Sequence, residues 1–230
     1  LYLIPMAACI WSTPATQINR FPMQTFLHFC ANHGLLAVSN RPQWRTVKGG
    51  AREYVRKLLA GIPDLRLATP VHQVRRFADR VELATDHGTH RFDQVVLATH
   101  TDQSLAMLEH ASVEERAVLK AIPYLANRAV LHTDERLLPR RRRAWASWNF
   151  HAPRPELSDE PVSLTYLINR LQPLPFSSPV MVSMNPVDEP REERVLASFD
   201  YHHPAFLEGS DEAKRRVASL QGRERTWYCG

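Results

Sequence analysis

Glycine is scarce in this chain: eight residues in 230, and none of them falls in a G-x-G-x-x-G arrangement. That removes the turn by which a first strand and helix cradle a dinucleotide diphosphate. Long apolar runs are missing too. No stretch approaches the roughly 18 residues needed to span a bilayer. The opening Leu1-Tyr2-Leu3-Ile4-Pro5 is too short for a signal peptide and lacks a basic lead. It also lacks an initiator Met, so the chain reads as a piece cut from something longer. Cysteine is reduced to Cys9, Cys30 and Cys229, odd in number, far apart and without a C-x-x-C. No disulfide framework follows, and a reducing, cytoplasmic compartment is favoured. Cys30, in an apolar helical stretch, reads as a small core residue. Metal-ligand spacing is absent as well. His28 and His33 are five apart, His87 and His90 lie in a turn, and His202-His203 begins a loop, with no Cys or acidic partner at ligand spacing. Ser12, Ser104 and Ser147 lack a nucleophile-elbow context, which argues against hydrolase chemistry. Internal repeats and low-complexity tracts are also lacking.

What is present suits a globular protein with a sizeable core. Apolar residues make up 44%, with five Trp, nine Phe and six Tyr. The formal net charge is +5 and the pI about 9.4. A basic balance invites a nucleic-acid reading, but the charge is clumped in Arg140-Arg141-Arg142-Arg143, with no recognition-helix or RNA-binding signature beside it. A solvated loop, or a patch for an anionic substrate or a membrane surface, fits better.

Periodicity supplies the elements. Phe21 to Asn32 reads as a buried helix ended by Asn32-His33-Gly34. Leu35 to Val38 reads as a short strand. Ser12 or Thr13 is placed to cap a short helix with Pro14 in its first turn. Ala51 to Ala60 is an amphipathic helix, Tyr54, Val55, Leu58 and Leu59 on one side, stopped by Gly61 and Pro63. Leu65 to Ala68 is a short strand. Val71 to Phe77, Val81 to Thr85 and Thr89 to Phe92 alternate like paired strands around Ala78-Asp79-Arg80 and Asp86-His87-Gly88. Asp93 to Thr99 is a continuous apolar strand of the type buried on both faces. Helices follow at Asp102 to Leu108 and Ser112 to Ala121, the second opened by a Ser112/Glu115 capping box. Near Asn127 the character turns to β, with strands at Arg128 to Thr133, Trp145 to Phe150, Ser163 to Asn169, Val180 to Met184 and Val195 to Tyr201. Ala213 to Leu220 is a closing helix, and Thr226 begins a last strand.

Three stretches carry chemistry. Val95-Val96-Leu97-Ala98-Thr99 ends in small residues, where backbone approaches a dinucleotide at the end of a strand; a plain core strand is the competing reading. Lys48-Gly49-Gly50 opens a helix with a tight turn whose free N–H groups favour an anion, or is a loop that needs positive φ. In Trp145-Ala146-Ser147-Trp148-Asn149, strand parity puts Trp145, Ser147 and Asn149 on one face and Ala146 and Trp148 on the other. One face is a candidate cavity wall with Asn149 offering a hydrogen bond; two core tryptophans are the alternative. Tyr166, Asn169 and Arg170 are placed to join such a wall.

Taken together, Lys48-Gly49-Gly50, Thr69-Pro70-Val71, the meander and Ala98-Thr99 resemble the flavin-containing amine oxidoreductase family, which includes the monoamine oxidases, protoporphyrinogen oxidases and phytoene desaturases. The match in this order covers residues 44 to 100. Leu3-Ile4-Pro5-Met6, Ile10-Trp11-Ser12-Thr13-Pro14, Arg41-Pro42-Gln43-Trp44-Arg45, Asn127-Arg128-Ala129-Val130 and Ala144-Trp145-Ala146-Ser147-Trp148-Asn149 are similar to a bacterial branch of predicted NAD/FAD-binding proteins, related to domains fused or adjacent to cyclopropane fatty-acid synthases. The resemblance implies FAD as cofactor, contacted by Arg45, Lys48, Gly49, Gly50, Val71, Ala98, Thr99 and Gly230, and a small substrate met by Trp11, Asn149 and Tyr166. It implies an α/β (α+β) fold: part of a Rossmann-like FAD-binding domain with a β-meander, plus a substrate domain of mixed or antiparallel sheet and helices. The G-x-G-x-x-G half is expected upstream. The expected division is 1–43 as a helical part of the substrate domain, 44–110 as the second segment of the FAD-binding domain, 111–222 as the substrate-binding domain, and 223–230 as the return to the FAD-binding domain. One departure stands out. Many amine oxidases place a Lys, bonded through water to flavin N5, on the first substrate-domain strand. Here that region reads Asn127-Arg128-Ala129-Val130, and Arg cannot act as a base.

The expected function is FAD-dependent hydride abstraction from a small, hydrophobic or lipid-like substrate. A flavin-dependent desaturase or isomerase on the same fold, and a non-enzymatic basic scaffold, are the alternatives. Neither a metal nor nucleic acid is expected as partner; a peripheral association with a membrane or a lipid enzyme is.

Overall fold

The computed structural model describes residues 3–11, 14, 18, 21–37, 39–40, 42–151, 163–205 and 209–229. In chain order the elements are α1 (Leu3–Trp11), α2 (Met23–Asn32), α3 (Arg52–Leu59), β1 (Val71–Arg76), β2 (Val81–Thr85), β3 (Gly88–Phe92), β4 (Val95–Leu97), α4 (Thr101–Met107) and α5 (Val113–Leu119). Then come β5 (Tyr124–His132), β6 (Trp148–His151), β7 (Ser163–Leu167), β8 (Met181–Met184), β9 (Val195–Pro204), α6 (Ser210–Leu220) and β10 (Thr226–Tyr228). The mixed α/β class expected from the sequence is the class observed. Two compact units divide the chain: Leu1–Gly61 with Leu125–Ala205, and Ile62–Tyr124 with Phe206–Gly230. No helix among the described residues is long and apolar enough to cross a membrane.

In the unit built on Ile62–Tyr124, β1, β2 and β3 form the antiparallel meander. Val74 and Val81 point inward and are fully buried. β4 pairs in parallel with β10, a strand from the far end of the chain. Val74, Val81, Leu97, Leu119, Leu220 and Tyr228 share one core. Ser112 caps α5 as expected: its Oγ accepts from Glu115 N (3.1 Å), and Glu115 Oε2 accepts from Ser112 N (2.7 Å).

Glu115 does more than close the cap. Its carboxylate is buried and accepts from both Nη atoms of Arg76 on β1 and from the Tyr228 hydroxyl on β10 (2.7 Å). Arg76 also donates to the His110 carbonyl and pairs with Glu224 at 2.9 Å. One carboxylate therefore ties the meander, a helix N-terminus and the parallel pair. Burial pushes its pKa up, but the hydrogen bonds from Arg76, Tyr228 and the Ser112 N–H outweigh burial and hold it at about 2. Burial and the same carboxylate push the Tyr228 hydroxyl upward.

In the other unit a five-stranded sheet has the order β6-β7-β8-β5-β9. The pairs β6/β7, β7/β8 and β5/β8 are antiparallel. Their register sets two faces. One carries Trp148, Phe150, Leu164, Tyr166, Val182 and Met184. The opposite one carries Asn149, Thr165, Ser183 and His132 among Val130, Leu167 and Met181. His132, Ser183 and Thr165 are fully buried there in one chain, with Nε2···Oγ at 2.8 Å and Oγ···Oγ1 at 2.7 Å. The Asp134 N–H donates to His132 Nδ1 (3.1 Å). Nδ1 is thus the acceptor and Nε2 carries the proton toward Ser183, so the ring cannot take a proton from that hydroxyl. Burial lowers the His132 pKa, with Asp134 opposing. The cluster is a neutral core network and not a nucleophile with its base.

Several local expectations fail. Leu65 to Ala68 forms no strand: Arg66 is held to Asp64 (2.8 Å), Leu67 is exposed and Ala68 has φ +50. Leu35 and Leu36 lie in a turn after α2, and Val38 lies outside the described residues. The strand after Asp93 is only three residues long, and Val96 is 60% exposed instead of buried on both faces, because β10 is the one strand paired with β4 among the described residues. The apolar side of α3 is also open, with Tyr54, Val55 and Leu58 exposed. β6 starts at Trp148: Arg142–Ala144 is a 3₁₀ turn, and the Trp145 indole donates to the Pro139 carbonyl (2.8 Å). Ser12 and Thr13 lie outside the described residues.

The hub around Glu115 predicts the acid response. Its folded pKa lies below the ordinary 4.5, so its contribution is complete above about pH 4.5 and is lost as pH falls toward 2. Glu115→Gln is expected to lower unfolding free energy by about 3 kcal/mol at pH 7. In chemical denaturation the gap from wild type should shrink by pH 3. An equal gap at both pH values would contradict the assignment.

Candidate functional site

Val71, Ala98 and Thr99 meet along one cavity of about 530 Å³ in the unit built on Ile62–Tyr124. Val74 and Leu83 from the meander, and Gln103 and Met107 from α4, complete its wall. The sequence places these groups there for simple reasons. Val71 opens β1 opposite Thr85, and a register shift between Val71 and Gln73 leaves His72 as the extra residue of a bulge. Ala98 and Thr99 follow the last residue of β4, where the chain leaves the sheet; a side chain larger than alanine would narrow the cavity at that point. Thr99 is anchored by a 2.9 Å hydrogen bond between its Oγ1 and Ser104 Oγ. His100 caps α4, stacks on Tyr124 at 4.1 Å, and the Tyr124 hydroxyl accepts from Thr101 N (3.1 Å). The exit from the parallel pair is therefore held rigidly from below.

The wall is apolar, with Gln103 and the Thr99 hydroxyl as its polar groups and no charged side chain. It suits a flat, weakly polar ring such as an adenine. It has no cation or glycine loop for a diphosphate. The FAD that the fold family implies is thus matched by these residues at its adenine end alone.

Four other expected cofactor contacts, Arg45, Lys48, Gly49 and Gly50, lie in the other unit. Gly49 and Gly50 both have φ +87, and the Gly50 N–H is taken up by the Val47 carbonyl (3.0 Å). The positive φ is what demands glycine at Gly49; a Cβ there would meet only the Glu53 side chain, its Cγ at 3.0 Å. Arg45 and Lys48 are exposed and make no ion pair among the described residues. Gly230 lies outside the described residues.

The three expected substrate contacts also separate. Tyr166 stands beside Trp148, rings edge to face at 5.5 Å, on the aromatic face of the sheet. Burial pushes the Tyr166 hydroxyl up, with a smaller effect from Cys9 of α1. Asn149 points to the opposite face and is 5% exposed. Its Oδ1 accepts from Ala146 N, and its Nδ2 donates to the carbonyls of Ala146 and Thr165. Both amide N–H donations and one oxygen lone pair are thus committed to backbone, on the face away from Tyr166. Asn169 is likewise committed, to Ser178 O and Val180 N. Trp11 lies in an aromatic cluster with Phe21, Phe26 and Phe29, and Phe29 leads through His33 to Trp44. Trp148, not Asn149, is the partner of Tyr166. Strand parity separated the two correctly, but only the β6/β7 register shows which one faces Tyr166.

Asn149→Ala should lower unfolding free energy by about 2 kcal/mol, since it strips partners from buried backbone groups. Denaturant titration measures this. Unchanged stability together with weakened ligand binding would move Asn149 into the site.

The chain is similar in fold to several solved enzyme structures. One is described as a protoporphyrinogen oxidase from Exiguobacterium sp. 255-15, at 16% identity and TM-score 0.58, covering 97% of this chain and 56% of that one. Another is a CLA-producing fatty acid isomerase from P. acnes, at 14% identity and TM-score 0.56, covering 78% and 46%. A putrescine oxidase bound to putrescine gives 11% identity and TM-score 0.51, covering 79% and 47%. The chain spans about half the length of each. No match among curated protein sequences was found. The model of flavin-containing amine oxidoreductases matches residues 19–200. With that match extending over most of its length, the chain belongs to the flavin-containing amine oxidoreductase family.

Proposed function

We propose that this chain supplies the adenine-side wall and the substrate-domain sheet of an FAD-dependent oxidoreductase acting on a small apolar or lipid-like substrate. The observation that carries the reading is the cavity shared by Val71, Ala98 and Thr99, formed by two segments some 25 residues apart in the sequence. FAD, when bound, would accept the hydride of a substrate C–H bond as the adjoining C–N or C–C bond becomes a double bond and its other atom gives up a proton. The chain's own residues bind and orient. Val71, Val74 and Met107 offer apolar contact to the adenine, and the fixed Ala98-Thr99 exit lets backbone come close. On the other unit, the uncharged face of Trp148, Phe150 and Tyr166 suits an apolar substrate.

A flavin-dependent isomerase or desaturase is the second reading, and a specific observation favours it. The strand on which many amine oxidases carry a Lys has Asn127 and Arg128 here. Arg128 is clamped in a two-point pair with Glu189, at 2.7 and 2.9 Å. Asn127 is tied to Leu125 O and to Asn185. Neither is free to hold a water for amine oxidation.

Ala98→Trp, which fills the cavity mouth, should lower FAD affinity of the flavin-loaded protein at least about tenfold while the fold is kept. Flavin fluorescence titration reads the affinity and circular dichroism the fold; unchanged affinity would overturn the adenine assignment. Product analysis of a fatty-acyl substrate without oxygen separates the two chemistries. An isomerase turns over with no external acceptor, whereas an oxidase stops after one equivalent of flavin is reduced. Reduction by polar amines alone would contradict the apolar substrate class.

A further inference from the structure

The loop between β5 and β6 is built as a rigid display for charge. Leu137 and Leu138 are buried, and Leu138 packs with Leu167 and Met181, with Trp145 against them. The Trp145 indole donates to Pro139 O, while Ala144 N and Trp145 N donate to the carbonyls of Arg141 (2.8 Å) and Arg142 (3.1 Å). On this scaffold Arg140, Arg141, Arg142 and Arg143 are all exposed. Elsewhere in the chain arginines such as Arg66, Arg128, Arg215 and Arg223 sit against a carboxylate. Of the four consecutive arginines only Arg142 does among the described residues, with Glu135 at 3.0 Å, and its guanidinium also lies 5.1 Å over the Trp145 ring. Arg140, Arg141 and Arg143 have no ion pair among the described residues.

We propose that the Arg140–Arg143 turn docks the chain on an anionic phospholipid bilayer, the guanidinium groups engaging headgroup phosphates. Guanidinium takes phosphate oxygens two at a time. Four consecutive residues span at most about 14 Å, a compact footprint that a lattice of headgroups meets in full. A nucleic-acid strand would meet it at only a few phosphates, and the loop offers no groove to follow a backbone and no row of stacking rings. Trp145, half-buried at the base of the turn with its N–H satisfied, is a residue type enriched at membrane interfaces. The inference rests on the charge and packing of this loop and is independent of the redox reading.

The test is vesicle co-sedimentation of the chain. Vesicles of phosphatidylcholine with about one-third phosphatidylserine are compared with phosphatidylcholine alone, at about 0.1 M salt where surface charge is still felt. The wild type is expected to bind the anionic vesicles only. The triple variant Arg140→Gln, Arg141→Gln, Arg143→Gln should bind on the order of 100-fold more weakly, about fivefold per arginine. A control triple variant with the same charge change at exposed positions, Lys57→Gln, Lys120→Gln, Arg216→Gln, should keep wild-type binding. Because all six positions are exposed, matching thermal melts establish that both variants fold. Equal losses in the two variants, equal binding to neutral vesicles, or tighter binding to duplex DNA than to anionic vesicles would each overturn the proposal.

Discussion

The unit that carries the candidate cofactor wall depends on one buried carboxylate. Glu115 completes the cap of α5, receives Arg76 from the meander and the Tyr228 hydroxyl from the parallel pair. A buried charge is tolerated only when its lone pairs are satisfied and its partner is close. Here those donors come from three elements distant in sequence. Removing them would do more than unpair a charge: β1, which bears Val71, and β10, which pairs with β4 and so fixes Ala98-Thr99, would lose their common anchor. The cavity is in this sense a consequence of the ion pair behind it.

In the proposed function the cavity and the sheet face have different parts. One is an apolar slot at the end of a parallel strand, with backbone brought close by small residues. The other is an uncharged aromatic face in a separate unit. The sheet face carries the Tyr166 hydroxyl, which burial pushes up, and His132, buried on the opposite face, is fixed by the Asp134 N–H in the tautomer that donates to Ser183. In that proposal the chain contributes shape and apolar surface, with the reacting atoms belonging to flavin and substrate. That division suits a family whose relatives in fold include both oxidases and an isomerase.

Much of this was legible in the sequence where the signal is local. The meander showed in alternation and in turn residues such as Asp86-His87-Gly88. The Ser112/Glu115 box named its own helix start, whereas it was the family resemblance that put Val71 with Ala98-Thr99. What was not legible depends on register or on neighbours far in sequence. Glu115 reads as a capping residue, and nothing local shows that Arg76 and Tyr228 converge on it. Asn149 and Tyr166 each look like cavity residues, but the β6/β7 pairing turns Asn149 to the polar face and sets Trp148 beside Tyr166. Leu65 to Ala68 has strand composition, yet a strand needs a partner edge, and Ala68 adopts positive φ instead. Val96 reads as core because its neighbours are apolar, but burial also requires a covering element.

The central claim is that the adenine end of FAD lies between β1 and the exit of β4. Photolabelling of the flavin-loaded protein with 8-azidoadenine FAD, followed by peptide mapping, tests it most directly. The account predicts covalent label within Val71–Val74 or Ala98–Met107, protected by excess FAD. Protectable label confined to the Lys48–Glu53 turn, or absent from both segments, would contradict it.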